Sequence, residues 1–173
     1  MGLGRPAARI GDLTTHLIPP LGLGIAKGSP NVIIGRRKAF RGIKKNKVGK
    51  LKKQKKNWDK SLNAANKAFD AAPEPISKAA TLTAAIGVKT AAIAAMSAQI
   101  KKSAKGADLH LCLSPLPPKP PVPPSHGLGV VINGSKTVLI NKQPATRMGD
   151  TILEAVGPGN KIITGCFTVL IGG

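Results

Sequence analysis

The sequence PATRMGD, at residues 144–150, repeats a similar stretch, PAARIGD, at residues 6–12. A second element occurs three times, as GSPNVIIG at 28–35, GSKTVLIN at 134–141 and GCFTVLIG at 165–172. Each copy follows a short apolar run, and an apolar run, a Gly-Ser or Gly-Cys turn and a second apolar run together predict a β-hairpin. Three such hairpins predict a small all-β body built from repeats, because one hairpin alone cannot bury its apolar face.

The charge is concentrated in the middle of the chain. Residues 36–105 hold 19 of the 27 basic residues and three of the seven acidic ones, whereas the flanks hold all three histidines and both cysteines. This shift predicts a body formed by residues 1–35 and 107–173, interrupted by a basic insertion over residues 36–106. Apolar residues at helical spacing on both sides of Pro73-Glu74-Pro75 predict that the insertion is an antiparallel α-helical hairpin.

The composition argues against several classes of protein. Only 2% of the residues are aromatic, and the chain has no paired-carboxylate motif and no phosphate-binding loop, so we expect no enzyme activity. No stretch of 18 uncharged apolar residues occurs, and we therefore expect no transmembrane segment. The first residues lack the pattern of a signal peptide, so the protein is expected to be made in the cytoplasm without one.

The histidines and one cysteine are spaced in a way that suggests a metal site. His110 and Cys112 stand two residues apart, which on a strand puts both side chains on one side. His16 and Cys112 each stand four residues after an aspartate, at corresponding positions of the repeat, and His126 follows the Pro-rich stretch 115–124. Three nitrogen donors and one sulfur donor form the closed set usual for structural zinc. From spacing alone, surface histidines and a buried cysteine remain the alternative.

Two further residues are weighed as neighbours of that site. Glu154 stands four residues after Asp150, at the position equivalent to those of His16 and Cys112, so it is a less favoured candidate ligand. Cys166 replaces the serine of the hairpin turn and is expected to be a small buried residue. A disulfide between the two cysteines is not expected in a chain made in the cytoplasm.

The tetrapeptide PAAR at residues 6–9 is the one after which the PAAR proteins are named, and the three Gly-Ser or Gly-Cys elements resemble the hairpins of that family. The resemblance covers about 1–35 and 107–173. It implies a small β-cone of three pseudo-equivalent repeats with a metal near the point, usually held by three histidines and one cysteine. Carried onto this chain, that set is His16, His110, Cys112 and His126, with zinc as the expected ion and iron second. The chain departs from the family at residues 104–108, where the degraded sequence AKGAD takes the place of the second heptapeptide.

The same resemblance implies a function. PAAR proteins cap the trimeric, VgrG-type spike of type VI secretion systems and related contractile injection machines. We therefore expect a metal-stabilised, non-enzymatic tip that helps to pierce a target envelope, with the helical hairpin as a candidate attachment point for effectors. Such a tip is assembled on the machine and ejected out of the cell or into a target cell.

The lysine-rich start of the insertion supports an alternative function. Nine of the 17 residues from Lys44 to Lys60 are lysines, which is typical of a solvated helix face or of contact with an acidic partner, an anionic membrane or nucleic acid. The alternative is a basic binding module for nucleic acid or anionic membrane on a β scaffold. Specific nucleic-acid recognition is not expected, because Trp58 is the one aromatic residue among these lysines and no DNA-binding motif is present.

Overall fold

The structure, a computed structural model, describes residues 4–16, 28–115 and 125–173. Most of the Pro-rich stretch and the apolar run before the first hairpin lie outside the described residues. The described chain contains two helices, α1 (Lys45–Ala71) and α2 (Pro75–Ser103), and short strands. The strands are β1 (Arg5–Ala7), β2 (Ile33–Ile34), β3 (Arg37–Lys38), β4 (His110–Pro115), β5 (Ser125–Val131), β6 (Leu139–Ile140), β7 (Gln143–Pro144), β8 (Thr151–Glu154), β9 (Asn160–Lys161) and β10 (Cys166–Ile171).

The predicted fold class, an all-β cone interrupted by a hairpin, is wrong. The two helices have 27 and 29 residues, whereas β5, the longest strand in the described part, has seven. The strands form small antiparallel sheets ordered β1-β10, β2-β3, β4-β5-β8-β9 and β6-β7. The protein is therefore a mixed α and β structure. The prediction failed because it treated the helices as an addition to the body, whereas they form part of its core.

Three segments of the chain close a ring of backbone hydrogen bonds. The Ala8 amide donates to the Thr146 carbonyl (2.9 Å), the Phe40 amide donates to the Ala8 carbonyl (3.0 Å), and the Thr146 amide donates to the Phe40 carbonyl (3.3 Å). Each segment thus donates to one neighbour and accepts from the other. This arrangement places the three segments around an approximate threefold axis.

Each of these segments ends in an arginine whose backbone amide and guanidinium both bind one aspartate. The pairs are Arg9–Asp12, Arg41–Asp108 and Arg147–Asp150. In that order, the amide donates to aspartate Oδ2 over 2.7, 2.9 and 2.9 Å. Two residues separate the partners in the first and third pairs, whereas residues 42–107 separate them in the middle pair. The helical hairpin is therefore inserted inside the middle arginine–aspartate clamp.

The three Val-Ile-Ile or Val-Leu-Ile strands contribute to one apolar cluster. Their last residues, Ile34, Ile140 and Ile171, are buried together with the alanines of the three ring segments. In the first two copies the chain reverses in a two-residue turn in which both residues have positive φ, Gly35 (+51°) with Arg36 (+67°), and Asn141 (+51°) with Lys142 (+63°). Such turns match the twist of the flanking strands. In the third copy, β10 pairs with β1 instead.

The base of the helical hairpin is packed onto the central sheet. Leu51 of α1 and Met96 and Ile100 of α2 are buried in one cluster with Val130 of β5 and Leu153 of β8. Full burial of such side chains is worth about 1.5–3 kcal/mol each. The helices and the strands thus share a core.

Helix α2 is apolar along its length. One 18-residue window has a mean hydropathy of 1.5, enough by length and composition to cross a membrane, and 22% of that window is buried within the protein. Its N-terminus is held by Pro75 and by a capping box between Glu74 and Ser77. Part of the apolar surface of α2 is used in contacts with α1 and β5.

Candidate metal centre

Four side chains capable of binding a metal lie close together in the structure. They are His16, Cys112, His126 and Glu154, and one ligand atom from each lies within 4.8 Å of the other three. The last three are buried, and His16 is largely so. Three of the four residues belong to the predicted set, and the fourth is the less favoured candidate, Glu154.

The distances within the cluster are short. Cys112 Sγ lies 3.5 Å from His16 Nδ1 and 3.6 Å from His126 Nδ1. The two histidine Nδ1 atoms are 3.2 Å apart, and their rings meet edge to face. Glu154 Oε2 lies 2.8 Å from His126 Nδ1 and 3.0 Å from His16 Nδ1.

The three distances among His16, Cys112 and His126 fit a single tetrahedral ion. With metal–nitrogen bonds of about 2.0–2.1 Å and a metal–sulfur bond of about 2.3 Å, a tetrahedron has edges of about 3.3 Å between two nitrogens and about 3.5 Å between nitrogen and sulfur. The nitrogen–nitrogen and nitrogen–sulfur distances match these edges, whereas the two glutamate–histidine distances are shorter, at hydrogen-bond length. The cluster could therefore hold a metal ion.

The repeat explains why the ligands meet. His16, Cys112 and Glu154 each stand four residues after the aspartate of one arginine–aspartate clamp. Equivalent positions lie at similar distances from an approximate threefold axis, and the short distances among these three side chains show that they lie close to it. The fourth ligand candidate, His126, comes from β5, which pairs with β4 and β8, the strands that carry Cys112 and Glu154.

His110 lies beside the cluster of four. Its Nε2 is 3.5 Å from Glu154 Oε1 and 3.4 Å from Asn160 Nδ2, and its buried Nδ1 has no hydrogen-bond partner among the described residues. The structure thus brings His110 next to Glu154, but outside the group of four whose ligand atoms lie within 4.8 Å of one another. Its role as a ligand stays a prediction.

Glu154 is oriented by a residue that the sequence analysis did not single out. Asn160, which is fully buried, donates a hydrogen bond of 2.7 Å from Nδ2 to Glu154 Oε1. Thr15 Oγ1 in turn donates to Asn160 Oδ1 over 2.8 Å. Oε2 contacts both histidines, whereas Oε1, held by Asn160, also lies 3.2 Å from His16 Nδ1.

Gly157 is a second residue that sequence reasoning missed. It has a φ of +81°, and a Cβ placed on it would lie 2.9 Å from His126 Nε2. A side chain at this position would both strain the backbone and displace the His126 ring. No pattern in the sequence distinguishes Gly157 or Asn160 from the other glycines and asparagines, since their importance comes from contacts between distant segments.

The ionisable groups of the cluster shift one another's pKa values. Burial lowers the pKa of His126, but hydrogen bonds with Cys112 and Glu154 outweigh it and raise that pKa to about 9. Burial raises the pKa of Glu154, but hydrogen bonds from His110, His126 and Asn160 outweigh it and lower that pKa to about 2. Without a metal, a protonated His126 therefore faces an ionised Glu154 near neutral pH.

Cys166 lies in a different environment. It is buried in the apolar cluster of the repeats, is a free cysteine, and has its Sγ 3.3 Å from Thr168 Oγ1. The residue is buried, as expected, but it begins β10 and pairs with Ala7 of β1 rather than lying in a hairpin turn.

No protein-family model, curated protein or solved structure significantly matches this chain.

Proposed function

We propose that this protein is a metal-stabilised tip that caps a trimeric, VgrG-like spike of a contractile injection machine, such as a type VI secretion system, and helps to pierce the target envelope. The observation that carries the proposal is the approximate threefold arrangement of the repeats together with their exposed apolar residues. The sequence resemblance to PAAR proteins supplies the class of partner.

Equivalent residues of the three repeats expose large apolar side chains to a similar extent. Ile33 is 57% exposed, and Leu139 and Leu170 are each 60% exposed, whereas the residue that follows each of them is buried. We call these three residues the apolar triad. Three such side chains at equivalent positions suit a partner that is itself threefold, because each subunit of a trimer can contact one of them in the same way.

Zinc is the ion proposed for the candidate centre, with His16, Cys112, His126 and Glu154 as its ligands. A closed set of nitrogen, sulfur and carboxylate donors without an open position is the usual form of a structural zinc site, and iron is the second choice. When bound, the ion would supply bonds that tie the three repeats together. That cross-link would stiffen the protein for a mechanical role.

This function implies a route of assembly and export. It is assembled on the machine inside the producing cell and leaves with the spike, out of that cell or into a target cell. The helical hairpin is the part available for effector attachment, because its far end, around Pro73 to Ile76, is exposed to solvent.

The test is co-purification with the trimeric spike protein of the same machine. Native mass spectrometry is expected to show one copy of this chain on each spike trimer. Replacing the apolar triad by serine (Ile33→Ser, Leu139→Ser and Leu170→Ser) should remove the complex without removing the metal. The matched control is Ile76→Ser, which alters an exposed apolar residue on α2 and should leave the complex intact. A triad variant that still binds the spike would refute the proposed surface, and a wild-type chain that binds no spike would refute the function.

A basic binding module for nucleic acid or anionic membrane is the second candidate function. The observation in its favour is that Lys50, Lys52, Lys53 and Lys56 of α1 are exposed and make no ion pair within the described residues. A gel-shift assay with duplex DNA and a sedimentation assay with phosphatidylglycerol vesicles test it. If changing these four lysines to glutamine abolishes such binding while the spike complex is absent throughout, this second function replaces the first.

A further inference from the structure

A cavity of about 620 Å³ opens where α1 begins, between the helix and the second repeat. Its apolar wall is formed by Ile43, Ile132, Leu139 and Pro144. Ligand-binding pockets typically have volumes of about 300–1,000 Å³ and largely apolar walls. The cavity thus has the size and lining to take a small molecule with an apolar body.

The polar part of the lining carries positive charge alone. Lys44, Lys45, Lys136 and Lys142 line the cavity, no acidic residue does, and none of the four makes an ion pair with any described residue. Arg147 also reaches the cavity, but its guanidinium is already bound to Asp150 and to backbone carbonyls. All four lysines are exposed to solvent, which screens their charges, and together they would attract an anion placed at the mouth of the cavity.

The start of α1 adds to this unbalanced charge. Lys44, at the N-cap, makes no side-chain cap, and the first turn contains no acidic residue. The N-terminus of a helix carries partial positive charge, so lysines there are unfavourable by a few tenths of a kcal/mol or more each. No acidic side chain among the described residues forms an ion pair with Lys44 or Lys45, and an anion bound in the cavity would balance their charge.

We propose that this cavity binds an anionic amphiphile, a molecule with one carboxylate or phosphate head and an aliphatic body. The head lies among the four lysines, and the aliphatic body contacts the wall formed by Ile43, Ile132, Leu139 and Pro144. The proposal goes beyond the spike-capping function, and its lysine variants leave the apolar triad unchanged although Leu139 belongs both to the triad and to the cavity wall. The candidate metal ligands are not part of the lining.

The experiment is calorimetric titration of the full-length, metal-loaded protein with decanoate below its micellar concentration. Decyl maltoside, which has the tail without the charge, and inorganic phosphate, which has the charge without the tail, are each expected to bind at least tenfold more weakly than decanoate. Decyl phosphate is expected to bind within about threefold of decanoate. Equal binding of decanoate and decyl maltoside would overturn the proposal.

A pair of variants locates the binding. Lys136→Gln with Lys142→Asn removes two charges from the lining, and asparagine tolerates the positive φ of position 142. This variant should bind decanoate at least tenfold more weakly. The control, Lys52→Gln with Lys53→Gln, removes two exposed charges elsewhere on α1 and should bind within twofold of the wild type. Equal losses in the two variants would overturn the proposal, because they would indicate attraction to overall charge.

A third experiment distinguishes a free amphiphile from a membrane lipid. Sedimentation with phosphatidylglycerol vesicles, in the presence and absence of decanoate, distinguishes a free molecule from a lipid held in a membrane. Release of the protein from vesicles by decanoate supports a lipid source that uses the same cavity, and absence of vesicle binding supports a free ligand. Vesicle binding by a protein that does not bind decanoate would refute the cavity as the binding site.

Discussion

Glu154 uses its two oxygens differently, and this distinguishes it from His110. Oε2 contacts both clustered histidines, whereas Oε1 accepts from Asn160 and lies 3.2 Å from His16 Nδ1 and 3.5 Å from His110 Nε2. Glu154→Gln should therefore weaken zinc binding more than 100-fold. His110→Gln should weaken it by about 10–100-fold, as is typical of residues that orient a ligand. Competition with a chromogenic chelator measures both affinities, and a larger loss in His110→Gln would make His110 the ligand.

The two cysteines provide a matched comparison. Cys112→Ser removes a candidate ligand and should lower the zinc content to well below one equivalent. Cys166→Ser should keep about one equivalent, because Ser29 and Ser135 occupy the corresponding position in the other two repeats. Elemental analysis of the purified variants checks both. Full zinc in Cys112→Ser would exclude this cysteine from the site.

The affinity for metal should depend on pH in a defined direction. Because the pKa of His126 is raised to about 9, a proton occupies that ring below about pH 9 and must leave before the metal binds. Glu154, with a pKa of about 2, is already ionised and adds no dependence near neutral pH. Zinc affinity should therefore rise about tenfold per pH unit from His126 alone between pH 6.5 and 8.5, as measured by chelator competition. An affinity that does not change over this range would contradict the proton-bearing His126.

The three arginine–aspartate clamps show how much of the repeat could be predicted from the sequence. The repeat was visible at Arg9–Asp12 and Arg147–Asp150, where two residues separate the partners. The middle clamp was not, because Arg41 and Asp108 are 67 positions apart. The predicted insertion began at residue 36, whereas β3 (Arg37–Lys38) pairs with β2 and so joins the first hairpin.

Contacts between segments far apart in the chain could not be predicted for the core or for the candidate metal centre either. Helical spacing identified where the two helices lie, but it did not indicate that Leu51 and Met96 would meet Val130, since those contacts join segments far apart in the chain. Three of the clustered ligands could be chosen from residue type and repeat position. The arrangement of Glu154 and Asn160 could not, because a glutamate in a strand is usually solvated and only the fold shows that this one is buried.

The shared core predicts unequal effects of two deletions. Replacing residues 45–103 by a short Gly-Ser linker uncovers Val130 and Leu153 and should lower the free energy of unfolding by about 3–5 kcal/mol, given about 1.5–3 kcal/mol for each buried side chain. Replacing only residues 59–88 by the same linker shortens the far end of the hairpin and keeps Leu51, Met96 and Ile100. This control should lose less than about 1 kcal/mol. Urea unfolding of the metal-loaded proteins measures both, and equal stabilities would show that the helix base is not part of the core.

At the scale of the whole molecule, the ring of backbone hydrogen bonds and the candidate metal centre act on the same three segments. The ring joins Ala8, Phe40 and Thr146, and each segment continues through its clamp to a candidate ligand. The described core contains one phenylalanine, Phe40, among its fully buried large side chains, so apolar packing between the repeats is limited. An ion bound by all three segments would therefore contribute a large part of the stability, as in other small metal-binding domains.

We propose that one metal ion is held by side chains from all three repeats together with His126. X-ray absorption at the zinc edge, on freshly purified protein without an affinity tag, tests it most directly. The expected spectrum shows one zinc per chain, with one sulfur at about 2.3 Å and three nitrogen or oxygen atoms at about 2.0–2.1 Å. Protein that contains no transition metal, or zinc with no sulfur in its first coordination sphere, would contradict the claim.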